Sequence, residues 1–165
     1  MVGEGYAAVS SRRVAQEIGL NPATVHYYYA TTDDLFIALH ERMTNQQLTQ
    51  FDAVLSAPDP LRALWEFQSN WSQSALGVEF IALSNHRKSI QPVLAKTTEQ
   101  ARDVQARALE QAIAKASPGP SALSPVALTT ILVAIARTLA NEERVGITRG
   151  HDEVRAAVEW ALSRL

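Results

Sequence analysis

The stretch Ser10–Leu35 reads SSRRVAQEIGLNPATVHYYYATTDDL and predicts two short helices joined by a tight turn. A serine at its start can cap the first helix, and Gly19 ends that helix where a chain often needs a positive φ. Asn21 can cap the second helix, and Pro22 takes the first helical position, where proline is best tolerated. This layout is typical of a helix-turn-helix, the motif that places its second helix in a DNA groove.

The second helix is predicted to have an inward and an outward side. Val25 and Tyr29 lie four residues apart, and we expect both to face inward together with Leu20. The other side carries hydroxyl, imidazole and phenol groups, which can meet phosphates and base edges. These outward residues are Thr24, His26, Tyr27 and Tyr28.

The bulk composition fits a globular protein of one domain, or a small DNA-binding region on a larger body. The chain has 165 residues, of which 47% are hydrophobic, and it has no cysteine. Disulfides and thiolate chemistry are therefore excluded. No apolar run approaches the roughly 20 residues of a membrane span, and Met1 is followed by Val-Gly-Glu-Gly rather than by a basic and apolar leader. We therefore expect a cytoplasmic protein that has no membrane partner.

The charge balance predicts only modest nonspecific affinity for nucleic acid. The net charge is −2, and the isoelectric point is near 6.1. In residues 1–31 the only cations are Arg12 and Arg13, offset by Glu4 and Glu17. Any binding to DNA must then depend on few ion pairs.

From Thr32 onward the sequence predicts helices only, so the expected fold class is all-α. We find no strand alternation and no internal repeat. Pro, Gly and capping residues separate the helices. The first four predicted helices run from Thr32 to near Ala57, from Asp59 to before Gly77, from Val78 to near Asn85 and from Gln91 to Lys115. Ser124 caps and Pro125 opens the fifth, which ends before Gly146, and Asp152 lies in the first turn of the last.

The last two predicted helices each carry an apolar stripe. Periodicity alone fits either an intrachain core or an interface between two copies. A helix-turn-helix normally reads paired half-sites, so we favour a homodimer held by these helices. The predicted interface residues are Leu128, Ile131, Leu132, Ile135, Leu139, Val154, Val158, Ala161, Leu162 and Leu165.

The N-terminal region resembles a known family. The run GYAAVSSRRVAQEIGLNPATVHYYY followed by DDL is similar to the TetR family of bacterial one-component transcriptional regulators, and an all-helical body with two closing amphipathic helices fits the same family. The resemblance implies a helix-turn-helix region at 1–31 and a ligand-binding and dimerisation domain at 32–165. It also implies a ligand-responsive repressor that binds a palindromic operator in double-stranded DNA as a homodimer.

The resemblance also implies which residues meet DNA. In the family, the first helix of the motif offers a hydroxyl and a basic residue, which fall here on Ser11 and Arg12. An arginine there can read guanine, with roughly 1–3 kcal/mol of discrimination. His26 remains open between a DNA contact and a partly buried ring. The recognition helix presents the positions occupied here by Pro22, Ala23, Thr24, His26, Tyr27 and Tyr28.

Two departures from the family pattern stand out. The family usually has a lysine near the start of the long helix, and this chain has Thr32 there, which removes one ionic contact to phosphate. The family also has a helix before the helix-turn-helix, and this sequence begins at what would be the last residues of that helix. We therefore expect an uncovered apolar patch. Its predicted members are Val14, Ile18, Val25 and Tyr29.

In the family the middle helices enclose a small-molecule cavity, so the resemblance implies an effector whose identity the sequence does not reveal. Large apolar side chains and a few polar ones are available for such a pocket. An aromatic stripe at helical spacing also fits an ordinary core, and the cluster NHRK also fits a solvated helix end. The candidate pocket residues are Trp65, Phe67, Asn70, Trp71, Phe80, His86 and Arg87.

The sequence offers little support for an enzyme. None of the four histidines pairs with another at the i, i+4 spacing of a helical zinc site, and no serine stands in a nucleophile elbow. We therefore expect no catalytic residue, no metal and no cofactor. The alternative to a regulator is a TetR-like small-molecule-binding or dimeric helical protein that has lost DNA binding.

Overall fold

The structure is a computed structural model that describes residues 3–116 and 123–165. Within these ranges the chain is all-α, which confirms the predicted fold class, and it has no strand. Two short 3₁₀ turns, Tyr6–Ala8 and Lys88–Ile90, precede α1 and α6. The α-helices are α1 (Ser11–Glu17), α2 (Pro22–Tyr28), α3 (Thr32–Leu55), α4 (Pro60–Ser72), α5 (Ala75–His86), α6 (Gln91–Ala116), α7 (Pro125–Arg144) and α8 (His151–Leu162).

Five of the described α-helices start at side-chain caps that can be read from the sequence. Each capping oxygen accepts a hydrogen bond from a backbone N–H in the first turn, as the Asn21 side chain does from Ala23 N at 2.9 Å. Before α3, Thr31 Oγ1 accepts from Asp34 N at 3.1 Å while Thr31 N donates to Asp34 Oδ2 at 2.8 Å, a capping box. The other side-chain caps are Ser10, Asp59 and Ser124.

Two local features of the backbone bear on the sequence predictions. Gly19 has φ 67°, so the predicted left-handed turn between α1 and α2 is confirmed. The α5 helix begins at Ala75 rather than at the predicted Val78, and Gly77 lies inside its first turn. A single glycine in a helix is tolerated at a cost of about 1 kcal/mol, and here it did not mark the boundary.

The described chain forms two compact units. Unit 1 comprises the chain up to Gln46 together with Ala75–Glu99, and unit 2 comprises Gln47–Ser74 and the chain from Gln100 onward. The sequence suggested a boundary between residues 31 and 32, so the two divisions differ. The physical reason is that the α5 segment shares a core with the start of α3.

Unit 1 has a small apolar core between α3, α5 and the turn before α6. Burying side chains of this size contributes roughly 1.5–3 kcal/mol each. The partly buried Tyr6 and Val9 pack against this core and connect it with the segment that leads into α1. Its buried members are Phe36, Phe80, Leu83 and Ile90.

Unit 2 has the larger core, to which α3, α4, α6, α7 and α8 all contribute. From α3, α4 and α6 it includes Phe51, Leu64, Trp65 and Leu109. Five predicted dimer residues are buried in this core, so for them the structure shows the intrachain packing that periodicity left open. These five are Leu128, Leu132, Leu139, Val158 and Leu162.

The remaining predicted dimer residues are more accessible. Ile135 and Leu165 are partly buried against the core of unit 2. Ile131, Val154 and Ala161 are exposed on α7 and α8. In residues 3–116 and 123–165, no helix is both long enough and apolar enough to cross a membrane.

Candidate nucleic-acid interface

The α2 helix presents an unusual exposed surface. Tyr27 is 83% exposed and Tyr28 is 72% exposed, and their rings meet edge to face with centroids 5.2 Å apart. Val25, on the other side of the same helix, is only 5% exposed. Exposed tyrosines on so short a helix can stack on sugars and bases or donate hydrogen bonds to phosphate.

The structure places the other predicted DNA-facing residues on the surface of the same motif. We refer to Ser11–Tyr28 as the helix-turn-helix; its two helices, α1 and α2, pack against each other. Ser11 is half-buried, and Arg12 on α1 is exposed. The exposed α2 residues besides the two tyrosines are Pro22, Ala23, Thr24 and His26.

The two arginines of α1 differ in their partners. Arg13 forms a bidentate pair with Glu4, with Nη1 2.6 Å from Oε2 and Nη2 2.7 Å from Oε1. The hydrogen bonds from Arg13, followed by its charge, lower the pKa of Glu4. Arg12 makes no ion pair with any residue that the structure describes. It is therefore the cation of the motif that is available for a phosphate or a guanine.

The predicted uncovered patch is present in part. Ile18 is 57% exposed, as expected, but Val25 is buried, so the prediction was wrong for Val25. Leu20 was expected to face inward and is 49% exposed, because it lies in the turn after Gly19. A groove of about 270 Å³ lies between the N-terminal segment and α1. Its apolar lining includes Val9, Val14 and Ile18.

Four of the candidate pocket residues belong to α4 in unit 2. Trp65 is buried in the core, while Asn70 is exposed. The Phe67 ring meets the Phe51 ring edge to face, with centroids 5.5 Å apart, and it stacks on Trp71 at 6.2 Å. These aromatic residues therefore form a continuous apolar cluster. Such a cluster is compatible both with a ligand pocket and with an ordinary core.

The other three candidates belong to α5 and the residue after it, in unit 1. Phe80 is buried in the core. His86 stacks on Tyr6 with ring centroids 5.7 Å apart. Arg87 pairs with Asp33, and its guanidinium carbon lies 5.5 Å from the centroid of the Phe36 ring. The cluster NHRK is thus not simply a solvated helix end.

Buried polar groups that the sequence analysis did not select occur in both units. In unit 2, Gln68 is 2% exposed and Thr129 is 1% exposed, and Gln68 Nε2 and Thr129 Oγ1 have no hydrogen-bond partner among the described residues. In unit 1, a ring nitrogen of His40, Nε2, lies 2.7 Å from Thr97 Oγ1, and burial lowers the pKa of His40. No sequence signal marks these residues, because only the structure shows that their helix faces are buried.

Metal ligands do not cluster in the part of the chain that the structure describes. No group of three or more histidine, aspartate or glutamate side chains there could hold a metal ion.

Comparison with known proteins supports the interpretation of the N-terminal region. Residues 1–39 match the family model of bacterial regulatory proteins, tetR family. This region is similar to the N-terminal region of that family. No curated protein matches the chain.

Solved structures show the TetR-family fold over nearly the whole chain. A TetR transcription regulator from Haloarcula marismortui matches with a TM-score of 0.77 and 19% identity, covering 99% of this chain and 90% of its own. A transcriptional regulator of the TetR/AcrR family from Thermobifida fusca matches with a TM-score of 0.64 and 18% identity, covering 96% and 87%. The family model and the fold together support a DNA-binding transcription regulator.

Proposed function

We propose that this protein is a ligand-responsive repressor that binds a palindromic operator as a homodimer. The observation that carries the proposal is the exposed surface of α2. Tyr27 and Tyr28 project into solvent, while Val25 anchors the same helix below them. Exposed aromatic surfaces on a protein often mark a binding site for a partner. For a helix-turn-helix similar to that of the TetR family, the expected partner is DNA.

The chemistry of this surface suggests how the contacts divide. Thr24 and Tyr28 have hydroxyls that suit phosphates, which set the position of the helix on the duplex. Arg12 has a planar guanidinium that suits the two acceptors of guanine in the major groove. His26 is exposed, so of the two alternatives left open for it, a DNA contact is favoured over a buried structural ring.

A dimer would use the part of α7 and α8 that the core of unit 2 leaves uncovered. Ile131 on α7 is 42% exposed, and on α8 Val154 is 37% and Trp160 is 60% exposed. Exposed apolar side chains such as these can supply the apolar centre of a dimer interface. Two copies related by a twofold axis would also present two recognition helices to a palindrome.

An effector site within unit 2 has support from its buried polar atoms. Gln68 Nε2 and Thr129 Oγ1 have no hydrogen-bond partner among the described residues, although both side chains are buried in unit 2. An unmade hydrogen bond in such a place costs about 1–3 kcal/mol. A small molecule with a polar group on an apolar skeleton would satisfy one or both atoms.

The alternative is a TetR-like binding protein that no longer binds DNA. Three observations favour it: the net charge is −2, Thr32 replaces the expected lysine, and Arg13 is already paired with Glu4. The two functions differ in whether the purified protein forms a specific DNA complex.

The test is binding of the purified protein to the DNA upstream of its own gene, measured by fluorescence anisotropy at several salt concentrations. Arg12→Ala is expected to weaken the complex about tenfold, since a good base contact contributes about 1–3 kcal/mol. Tyr28→Ala is also expected to weaken it, because it removes a phosphate contact that orients the helix. Arg13→Ala is the matched control because it removes the same charge from the adjacent residue. It is expected to change affinity much less than Arg12→Ala.

Two results would contradict the repressor. One is affinity that does not distinguish the upstream DNA from a scrambled duplex. The other is an equal loss in the Arg12 and Arg13 variants, which would indicate general electrostatic attraction rather than a contact.

A further inference from the structure

The corner between α5 and α6, which we define as His86–Ser89, binds the first turn of α3. Arg87 Nη1 donates to Asp33 Oδ1, and Ser89 Oγ donates to Asp33 Oδ2, so both oxygens of one carboxylate are engaged. The hydrogen bond from Ser89, together with the bond and charge of Arg87, lowers the pKa of Asp33. The Asp33 side chain is 25% exposed and that of Arg87 is 37% exposed, so water screens this pair only in part.

The same corner also holds the segment that leads into α1. The His86 ring stacks on the Tyr6 ring at 5.7 Å, with an angle of 29° between their planes. Tyr6 packs in turn against the unit 1 core, which contains Phe36. The Arg87 guanidinium lies over that same Phe36 ring.

These contacts lie on both sides of the helix-turn-helix in the sequence. Tyr6 precedes α1, and Asp33 lies in the first turn of the helix that follows α2. The corner therefore contacts the segment before α1 and the first turn of α3. None of these contacts involves a residue of the exposed surface of the motif. A short motif held at both ends can take fewer orientations than one held at a single end.

We infer that Arg87, supported by His86 and Ser89, positions the helix-turn-helix for DNA, an inference that rests on the proposed DNA binding. Arg87 is then a positioning residue that acts through Asp33. Movement at the end of α5 would change the contacts to Asp33 and to Tyr6 at the same time. The affinity for an operator thus depends on the position of the α5–α6 corner.

The test compares Arg87→Gln with Lys88→Gln in the full chain. Lys88 is an exposed neighbour in the same corner, so its variant removes the same charge from almost the same place. Arg87→Gln is expected to lower affinity for the specific upstream DNA about tenfold, because Asp33 loses a charged hydrogen-bond donor. Affinity for a scrambled duplex is expected to stay unchanged, and Lys88→Gln is expected to remain within about twofold of the wild type for both.

Three further variants separate positioning from loss of folding. Asp33→Asn alone is expected to weaken specific binding, and the double variant Asp33→Asn with Arg87→Gln should be no weaker than the worse single variant. Ser89→Ala, which removes one hydroxyl, is expected to give a smaller loss in the same direction. Equal losses in Arg87→Gln and Lys88→Gln, or additive losses in the double variant, would overturn the inference.

Hydrogen exchange gives a readout that does not need DNA. Arg87→Gln is expected to speed amide exchange in Ser11–Tyr28 several-fold over Lys88→Gln, with exchange in α7 unchanged. If the wild-type protein shows no specific DNA complex, the proposed function fails. The exchange comparison then still measures how far the corner stabilises the helix-turn-helix. If exchange in the helix-turn-helix is the same in both variants, the positioning role fails, whatever the DNA result.

Discussion

Two glycines show how the backbone conformation of a single residue decides its role. Gly77 lies inside α5, where a helix interior favours alanine, and nothing lies within 4 Å of the position that a Cβ would take. Gly150 precedes α8 with φ 86° and has the same open surroundings. The two sites therefore differ in backbone conformation and not in available space.

Alanine substitution at these two positions should have opposite effects on stability. Gly77→Ala is expected to raise the free energy of unfolding by about 0.5–1 kcal/mol because it removes conformational freedom from the unfolded chain. Gly150→Ala is expected to lower it by about 1 kcal/mol or more because a Cβ disfavours positive φ. Urea unfolding of both variants measures the difference, and a shift of the same sign in both would contradict this account.

The residues that cap helices could be predicted from the sequence, while the partners of the candidate site could not. Asn21 and Pro22 act within one turn of their own positions, so local chemistry is sufficient. Arg87 was predicted as a pocket residue, and its partner Asp33 lies 54 positions away. Such pairing depends on the packing of distant helices, which a single sequence does not reveal.

The helical elements α7 and α8 are joined at their shared turn by a network of charges. His151 is 3% exposed, with Nε2 2.8 Å from Glu142 Oε2 and Nδ1 3.4 Å from Glu143 Oε1. Glu143 also accepts from Arg155 and, at 3.0 Å, from Gln73 Nε2. Since both ring nitrogens face carboxylates, the network favours the doubly protonated, charged imidazole.

The pH dependence of stability follows from two opposite pKa shifts. Hydrogen bonds to Glu142 and then Glu143 raise the pKa of His151 against the opposing effect of burial. Its stabilising contribution is therefore complete below about pH 6.5 and is lost as the pH rises through the raised value. Hydrogen bonds from Gln73, Arg155 and His151 lower the pKa of Glu143 to about 2, so its contribution is lost as the pH falls toward that value.

The His151→Gln variant tests the upper half of this dependence. We expect its melting temperature to lie furthest below that of the wild type near pH 6 and to approach it by pH 9. His26→Gln is the control, since it makes the same substitution at an exposed position on α2. A His151→Gln difference that is constant from pH 6 to pH 9 would rule out a charged His151.

Helix boundaries were the most predictable part of the elements, and the use of helix faces was the least predictable. The predicted start of α6 at Gln91 is confirmed, and so are the predicted cap Ser124 and first residue Pro125 of α7. The apolar stripe of α7 gave no means to separate core from interface, because both present leucine and isoleucine at helical spacing. Packing against α4 makes Leu132 core and leaves Ile131 outside it.

At the scale of the whole molecule, the proposed homodimer makes two adjacent residues of α7 behave differently. Ile131→Glu is expected to convert the dimer to a monomer with little loss of folding, because the side chain is exposed in the single chain. Leu132→Ala is expected to cost about 2–5 kcal/mol of folding stability, because the side chain is 3% exposed. Sedimentation velocity and urea unfolding distinguish the two effects. A wild-type protein that sediments as a monomer at micromolar concentration would contradict the dimer.

The pairing of Arg13 with Glu4 has a consequence for the kinetics of target search. With one arginine of α1 neutralised and a net charge of −2, the protein presents little long-range attraction to a polyanion. Electrostatic steering can raise association rates by orders of magnitude, and that gain is largely missing here. Encounters with DNA would then be slow and nearly independent of ionic strength. Occupancy of an operator would rest on a long residence time rather than on rapid capture.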